Sequence, residues 1–218
     1  MEVVDMGDQV RMVFQPIFDE TMQVFAYEGL MRFTDTTIVE VINDCKSYSD
    51  FYEIEKLTFF KALQEYQKRN YKEKLFINSF PHVHLSKTDL SEIISHHKDT
   101  LKKVVIEILE YPDLDQASVK QKKDDVRNYE VLFAIDDYGV NTFENLKSIA
   151  PAYLKIDRSI ISGIHEDKEK QKQLESILDI ADKYSCLTIA EGIETDNELS
   201  YLKDKVNYFQ GFLLGKPN

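Results

Sequence analysis

The chain has 218 residues, 43% of them hydrophobic, enough for a single core-bearing domain spanning 1–218. A formal net charge of −12 argues against the basic stripe of a duplex nucleic-acid binder, so an anionic ligand would need a cation in its site. Cys45 and Cys186 form no CxxC pair, which excludes a zinc ribbon or disulfide scaffold.

The opening "MEVVDMGDQV" lacks an apolar signal core, and no apolar run approaches bilayer length. A cytoplasmic protein with no membrane partner is expected. Apolar runs then follow at "RMVFQPIF", "QVFAYEGLMRF", "KLFINSF", "KVVIEILE", "VLFAIDD", "AYLKID", "LTIAEGIE" and "NYFQGF". Only "DETM" separates the first two, which predicts an antiparallel hairpin. Charged amphipathic stretches lie between the later runs. "DFYEIEKLTFFKALQEYQKRN" is one; "EDKEKQKQLESILDIADKYS" is another, with Leu174, Ile177, Leu178 and Ala181 at helical spacing. Strands alternating with helices, each strand nearly continuous in apolar residues, indicate a parallel sheet covered on both faces. Asn78 to Glu107 is 29 residues and Glu107 to Asp136 is 29 again, close to one strand-helix unit of roughly thirty residues per step. The expected class is therefore α/β, a modified TIM-like (β/α) barrel with one antiparallel strand near the N-terminus.

Glu28, Asn78, Glu107, Asp136, Asp137, Lys155, Glu191 and Gln210 each sit in or just after an apolar run. In a (β/α) barrel such positions converge on the mouth at the strands' C-terminal ends. Glu107 interrupts "VVIEIL", and a buried carboxylate is costly unless a charge meets it. Lys155 in "YLKID" poses the same problem with the opposite sign. Taken singly, these residues have structural explanations. Asn78-Ser79 and Asp136-Asp137 suit helix caps or turns, Glu107 suits an internal ion pair, and Gly139 suits a plain turn. Taken together, carboxylates around one mouth repel each other without cations, and all-oxygen ligands favour Mg²⁺ or Mn²⁺ over zinc. His82, His84, His96 and His97 show no HExxH spacing and read as surface or core residues.

"YEGLMRF" resembles the signature segment of EAL domains, the bacterial cyclic di-GMP phosphodiesterases, with "EGL" in place of EAL. "FQPIF", "INSF", "IEILE", "AIDDYG", "YLKIDRS", "IAEGIET" and "YFQGFLLGKP" resemble the family's other motifs, and the likeness runs from Phe14 to Pro217. The resemblance implies metal-dependent hydrolysis of one phosphodiester bond of cyclic di-GMP, giving the linear dinucleotide pGpG. It implies one metal on Glu28, Asn78, Glu107 and Asp136, and a second on Asp136, Asp137 and Glu191, both Mg²⁺ or Mn²⁺. Lys155 would orient or deprotonate the attacking water, with Asp136 and Glu191 beside it in the catalytic set. Gln15, Arg32, Arg158 and Gln210 would face the substrate. Glu194 would support the site, and Glu110 would anchor the loop after the paired aspartates. The resemblance also admits a homodimer and a regulatory protein partner.

That loop departs from the family pattern: "DYGVNTFENL" stands where the family reads like DFGTGYSSL, and Asn141 is the candidate for the missing glycine's positive φ. Gly29 in place of alanine adds backbone freedom. The altered loop motivates the alternative of a weak or inactive EAL domain acting as a cyclic di-GMP receptor or interaction module. An unrelated two-metal phosphatase or nuclease is a third reading.

Overall fold

The computed structural model describes residues 10–109, 116–139 and 146–218. Glu110 and Asn141, with the loop from 140 to 145, lie outside the described residues.

In chain order the elements are β1 (Val10–Phe18), β2 (Val24–Phe33), α1 (Ile38–Asp44), α2 (Tyr48–Lys68), β3 (Lys74–Ser79), α3 (Lys87–Leu101), β4 (Val104–Ile108), α4 (Gln116–Val126) and β5 (Leu132–Tyr138). Then follow α5 (Leu146–Ile149), β6 (Tyr153–Ile156), α6 (Arg158–Ile161), α7 (Lys168–Tyr184), β7 (Leu187–Ala190), α8 (Asp196–Leu202) and β8 (Tyr208–Phe209). The strands close into a barrel in sequence order. β1 runs antiparallel to both neighbours, β2 and β8, whereas the remaining pairs are parallel. The expected hairpin is formed by β1 and β2. Asp19 closes it, its Oδ1 accepting from the backbone N–H of Thr21 at 2.8 Å and of Gln23 at 3.0 Å.

Side chains alternate across each strand, so residues two apart share a face. Ile17, Ala26, Phe76, Val105, Ala134, Tyr153 and Ile189 form one buried apolar cluster from seven different strands. Phe25 stacks on Tyr208 with ring centroids 3.9 Å apart and packs against this cluster. It fills one end of the barrel's interior. The opposite strand faces, with Leu75, Ile77, Ile106, Ile108, Ile135, Leu154 and Ala190, belong to the larger core shared with the helices. Among these helices α2 shows the logic clearly. Ser47 and Asp50 form a capping box at its start, and Ile54, Phe59, Ala62, Leu63 and Tyr66 bury a stripe at helical spacing. In α7 the predicted stripe is buried at Leu174, Ile177 and Ala181, while Leu178 is partly buried.

One strand is shorter than its apolar run. "NYFQGF" yields only Tyr208–Phe209, because Gly211 passes against the backbone of Ile193. A Cβ at Gly211 would stand 2.1 Å from the Ile193 carbonyl oxygen, so only glycine lets the chain fold over there. Phe212 and Leu213 are left exposed beyond it. Among the described residues, no helix is long and apolar enough to cross a membrane.

Candidate functional site

Two residues beyond the apolar layer, on the same inward faces, stand Glu28, Asn78, Glu107, Asp136, Lys155 and Glu191. Gln15 matches them on β1, two residues before Ile17 because that strand runs the other way. The period of two along each strand thus converts a hydrophobic layer into a polar one about 7 Å further on. Adjacent strands hold it in register: Gln15 lies opposite Glu28, and Asn78 opposite Glu107.

Lys155 is the hub. Its Nζ lies 2.5 Å from Glu107 Oε1, 2.5 Å from Glu191 Oε1, 2.9 Å from Asp136 Oδ1 and 3.6 Å from Glu28 Oε2. Its side chain is only 1% exposed and that of Glu107 is 0% exposed. Burial alone would lower the lysine's pKa, but Asp136, Glu107, Glu191 and Glu28 outweigh it and hold the group well above its usual range. Four carboxylates crowd one ammonium, so they repel one another in the absence of a further cation. Burial pushes the Glu107 carboxyl well up; Lys155 opposes that shift, and Glu28 and Asp136 add to it. Glu191 is raised well above the usual carboxylate range too, by burial first, with Asp136 and Glu28 adding to it against Lys155.

The amides finish the ring. Asn78 Nδ2 donates to Glu28 Oε1 at 3.2 Å, and Gln210 Nε2 donates to Glu28 Oε2 at 2.7 Å. Gln210 Oε1 and both oxygens of Glu107 are buried with no hydrogen-bond partner. The contact between Glu107 and Lys155 is therefore an ion pair without an aligned hydrogen bond. Gln15 Nε2 is turned to the backbone oxygen of Gly215 at 3.2 Å and ties β1 to the C-terminal segment.

Consecutive residues on a strand should point to opposite faces, yet Asp136 and Asp137 interact. The cause is a bulge. Between the β5–β6 pairs Ile135↔Leu154 and Tyr138↔Ile156, three steps along β5 face two along β6. Asp137 takes the extra position at φ 51°, and Gly139 follows at φ 114°. Burial and the neighbouring Asp136 push the Asp137 pKa up to about 7; Lys155 opposes the shift and Asp157 adds to it. Asp157 Oδ1 itself accepts from the Ser159 backbone N–H at 2.8 Å, at the start of α6. Asp157 is absent from the sequence-derived set. Its signal was available: it stands two residues after Lys155, on the same side of the chain.

Other candidates stand apart from this ring. Arg158 and Glu194 form an exposed ion pair with each other. The stem of Arg158 lies across Gly192, where a Cβ would come within 2.6 Å of Arg158 Cγ. Arg32 Nη1 donates to the backbone oxygen of its neighbour Met31 at 3.0 Å.

The donor set fits a hard divalent cation. One oxygen from each of Glu107, Asp136 and Glu191 lies within 4.8 Å of the others, and Glu107 Oε2, which has neither an ion-pair nor a hydrogen-bond partner, is free to ligate. No histidine or cysteine enters this group.

The sequence profile of the EAL domain matches residues 6–217. A probable cyclic di-GMP phosphodiesterase of Escherichia coli (strain K12), PdeN, is 27% identical over 96% of this chain and 44% of its own. The cyclic di-GMP phosphodiesterase PdeA of Borreliella burgdorferi is 26% identical over 82% of this chain and 28% of its own. The chain thus spans less than half the length of these curated relatives. Among solved structures, a standalone versatile EAL protein from Vibrio cholerae O395, in its c-di-GMP bound form, aligns with TM-score 0.84 and 24% identity. That alignment covers 96% of this chain and 92% of the other. An EAL domain protein from Listeria monocytogenes EGD-e aligns with TM-score 0.82 and 22% identity over 100% and 94% of the two chains. With its profile match covering nearly every residue and its barrel shared with these structures, the chain belongs to the EAL domain family.

Proposed function

We propose that the protein is a phosphodiesterase that hydrolyses cyclic di-GMP to the linear dinucleotide pGpG with the help of bound divalent cations. The observation that carries this reading is Glu107: a fully buried carboxylate whose Oε1 is ion-paired to Lys155 and whose Oε2 has no partner, in a pocket where four carboxylates share one ammonium. A structural ion pair has no use for the surplus negative charge. Two divalent cations, Mg²⁺ or Mn²⁺, together with Lys155 would balance Glu28, Glu107, Asp136, Asp137 and Glu191.

Glu28, Asn78, Glu107 and Asp136 would hold one cation, and Asp136, Asp137 and Glu191 the other. Asn78 would have to turn its carbonyl oxygen inward, because its amide nitrogen now faces Glu28. The cations would supply Lewis-acid polarisation of the phosphoryl oxygen and ease ionisation of water. Lys155 supplies N–H donors that orient the attacking water, and its raised pKa fits this donor role better than proton abstraction. Gln210, with its free Oε1, is a further group able to hold that water. Arg158 can turn from Glu194 to a substrate phosphate, since both side chains are exposed, and Arg32 and Gln15 would line the substrate's approach. The water oxygen bonds to phosphorus, the bond to the ribose 3′ oxygen breaks, and that oxygen takes up a proton.

The test is incubation with cyclic di-GMP and Mn²⁺, followed by separation of the products. The linear dinucleotide is expected from the unmodified chain, and Asp136→Asn should lower its formation at least about 100-fold, since that residue serves both cations. Tight nucleotide binding without any product would refute the hydrolase reading in favour of a receptor.

A further inference from the structure

Outside the barrel wall, directly behind Asn78, lies a second buried ionic cluster. Lys122 of α4 places its Nζ 2.5 Å from Glu55 Oε1 of α2 and 2.5 Å from Ser79 Oγ of β3. Ser79 Oγ donates to the same Glu55 oxygen at 2.6 Å, and the Phe80 backbone N–H donates to Glu55 Oε2 at 2.9 Å. Lys122 is 6% exposed, Glu55 1% and Ser79 1%. None of these groups faces the barrel interior. Burying a lysine and a glutamate this deeply has a desolvation cost that an apolar pair would avoid, so the cluster needs a reason for its position.

We propose that Lys122 is a positioning residue, a strut that fixes the cation-binding ends of β3 and β4 by clamping Ser79 and Phe80 from outside; this rests on the cation-site reading above. The geometry has a direct lever. Asn78 points inward and Ser79 outward on consecutive residues, so clamping one sets the rotation of the other. Asn78 is paired with Glu107 across the sheet, and the Leu109 backbone N–H donates to the Ser79 carbonyl at 3.1 Å, which ties the exit of β4 to the same point. Movement of Ser79 therefore shifts two candidate ligands together. A second tie is parallel to the first: Ser118, one turn earlier on α4, donates to the His82 carbonyl at 3.2 Å. Beside the strut, between α3 and α4, is a cavity of about 40 Å³ bounded by Ile93, Leu101, Ile106, Val126 and Lys122. Val119 of α4 is buried in the larger core and Val126 packs against it, so the polar ties act beside apolar packing and add direction to it.

The experiment is calorimetric titration of Mn²⁺ into the unmodified protein, Lys122→Met, Lys122→Arg and the exposed control Lys120→Met on the same helix. Loss of an outer-shell support weakens metal binding about tenfold or more, so Lys122→Met should show that loss, Lys122→Arg should recover most of it, and Lys120→Met should match the unmodified protein. A folded Lys122→Met protein with unchanged Mn²⁺ affinity overturns the proposal. If Lys122→Met fails to fold, the neutral pair Glu55→Gln with Lys122→Met takes its place and is held to the same criterion. Should the unmodified protein bind no Mn²⁺, the cation-site reading falls on its own. The strut is then judged by hydrogen exchange at the Phe80 and Leu109 amides. Faster exchange in Lys122→Met than in Lys120→Met supports it, and equal rates overturn it.

Discussion

Replacing Glu107 with glutamine separates a functional carboxylate from a structural one. In a structural ion pair, removing the charge on Glu107 would leave Lys155 poorly compensated and destabilise the protein. Here Lys155 would keep Glu191 at 2.5 Å, Asp136 at 2.9 Å and Glu28 at 3.6 Å, so the ammonium remains amply paired. The variant sheds a buried charge repelled by Glu28 and Asp136. In EDTA at pH 8, Glu107→Gln is therefore expected to be more stable than the unmodified protein by about 1–2 kcal/mol, the size of gain seen when strained site residues are neutralised. For a chain of this length that is a rise in Tm of roughly 2–8 °C. The sign of the pH dependence follows from the raised pKa. A carboxyl that binds its proton more tightly when folded loses stability as pH climbs from its ordinary value of 4.5 through its folded value. The advantage of Glu107→Gln should accordingly shrink at pH 5. Added Mn²⁺ reverses the order, because a cation at a hundredfold excess over its Kd stabilises the unmodified protein by about 2.7 kcal/mol and the variant far less. Thermal melts at both pH values, with EDTA or Mn²⁺, read all of this. A lower Tm for Glu107→Gln in EDTA would refute the reasoning and return Glu107 to the role of a counterion for Lys155.

Two glycines give opposite expectations. A Cβ at Gly29 would meet Met12 Cε at 3.4 Å, Ala62 Cβ at 3.5 Å and the Phe76 carbonyl at 3.5 Å, all ordinary contacts. Gly29→Ala should therefore stabilise the protein by about 0.4–1 kcal/mol without moving the inward-facing Glu28, measurable by urea denaturation with unchanged m-value. Gly139 has φ 114°, and its Cβ would come within 2.3 Å of Ile160 Cδ1. Gly139→Ala should cost about 1–3 kcal/mol and, by disturbing the bulge beside Asp136 and Asp137, weaken Mn²⁺ binding in the same titration.

The residues themselves carried much of this structure. The eight apolar runs, the "DETM" reversal and the 29-residue step between Asn78, Glu107 and Asp136 specify a barrel that begins with an antiparallel strand, and β1 to β8 close in that order. The ring residues were legible because a charge inside "VVIEIL" or "YLKID" conflicts with its neighbours' burial, and such a conflict marks a site. The bulge at Asp137 was not legible. It is a mismatch in count between two strands, visible only once β5 is laid against β6. Nor was the pairing of Arg158 with Glu194, or the strut from Lys122 to Glu55, whose partners lie 36 and 67 residues apart. Alternation along each strand decided which side chains are polar and inward-facing, because that period is local. Closure of the barrel decided that four carboxylates meet one lysine, because the distance between strands is set by hydrogen bonds that no single segment contains.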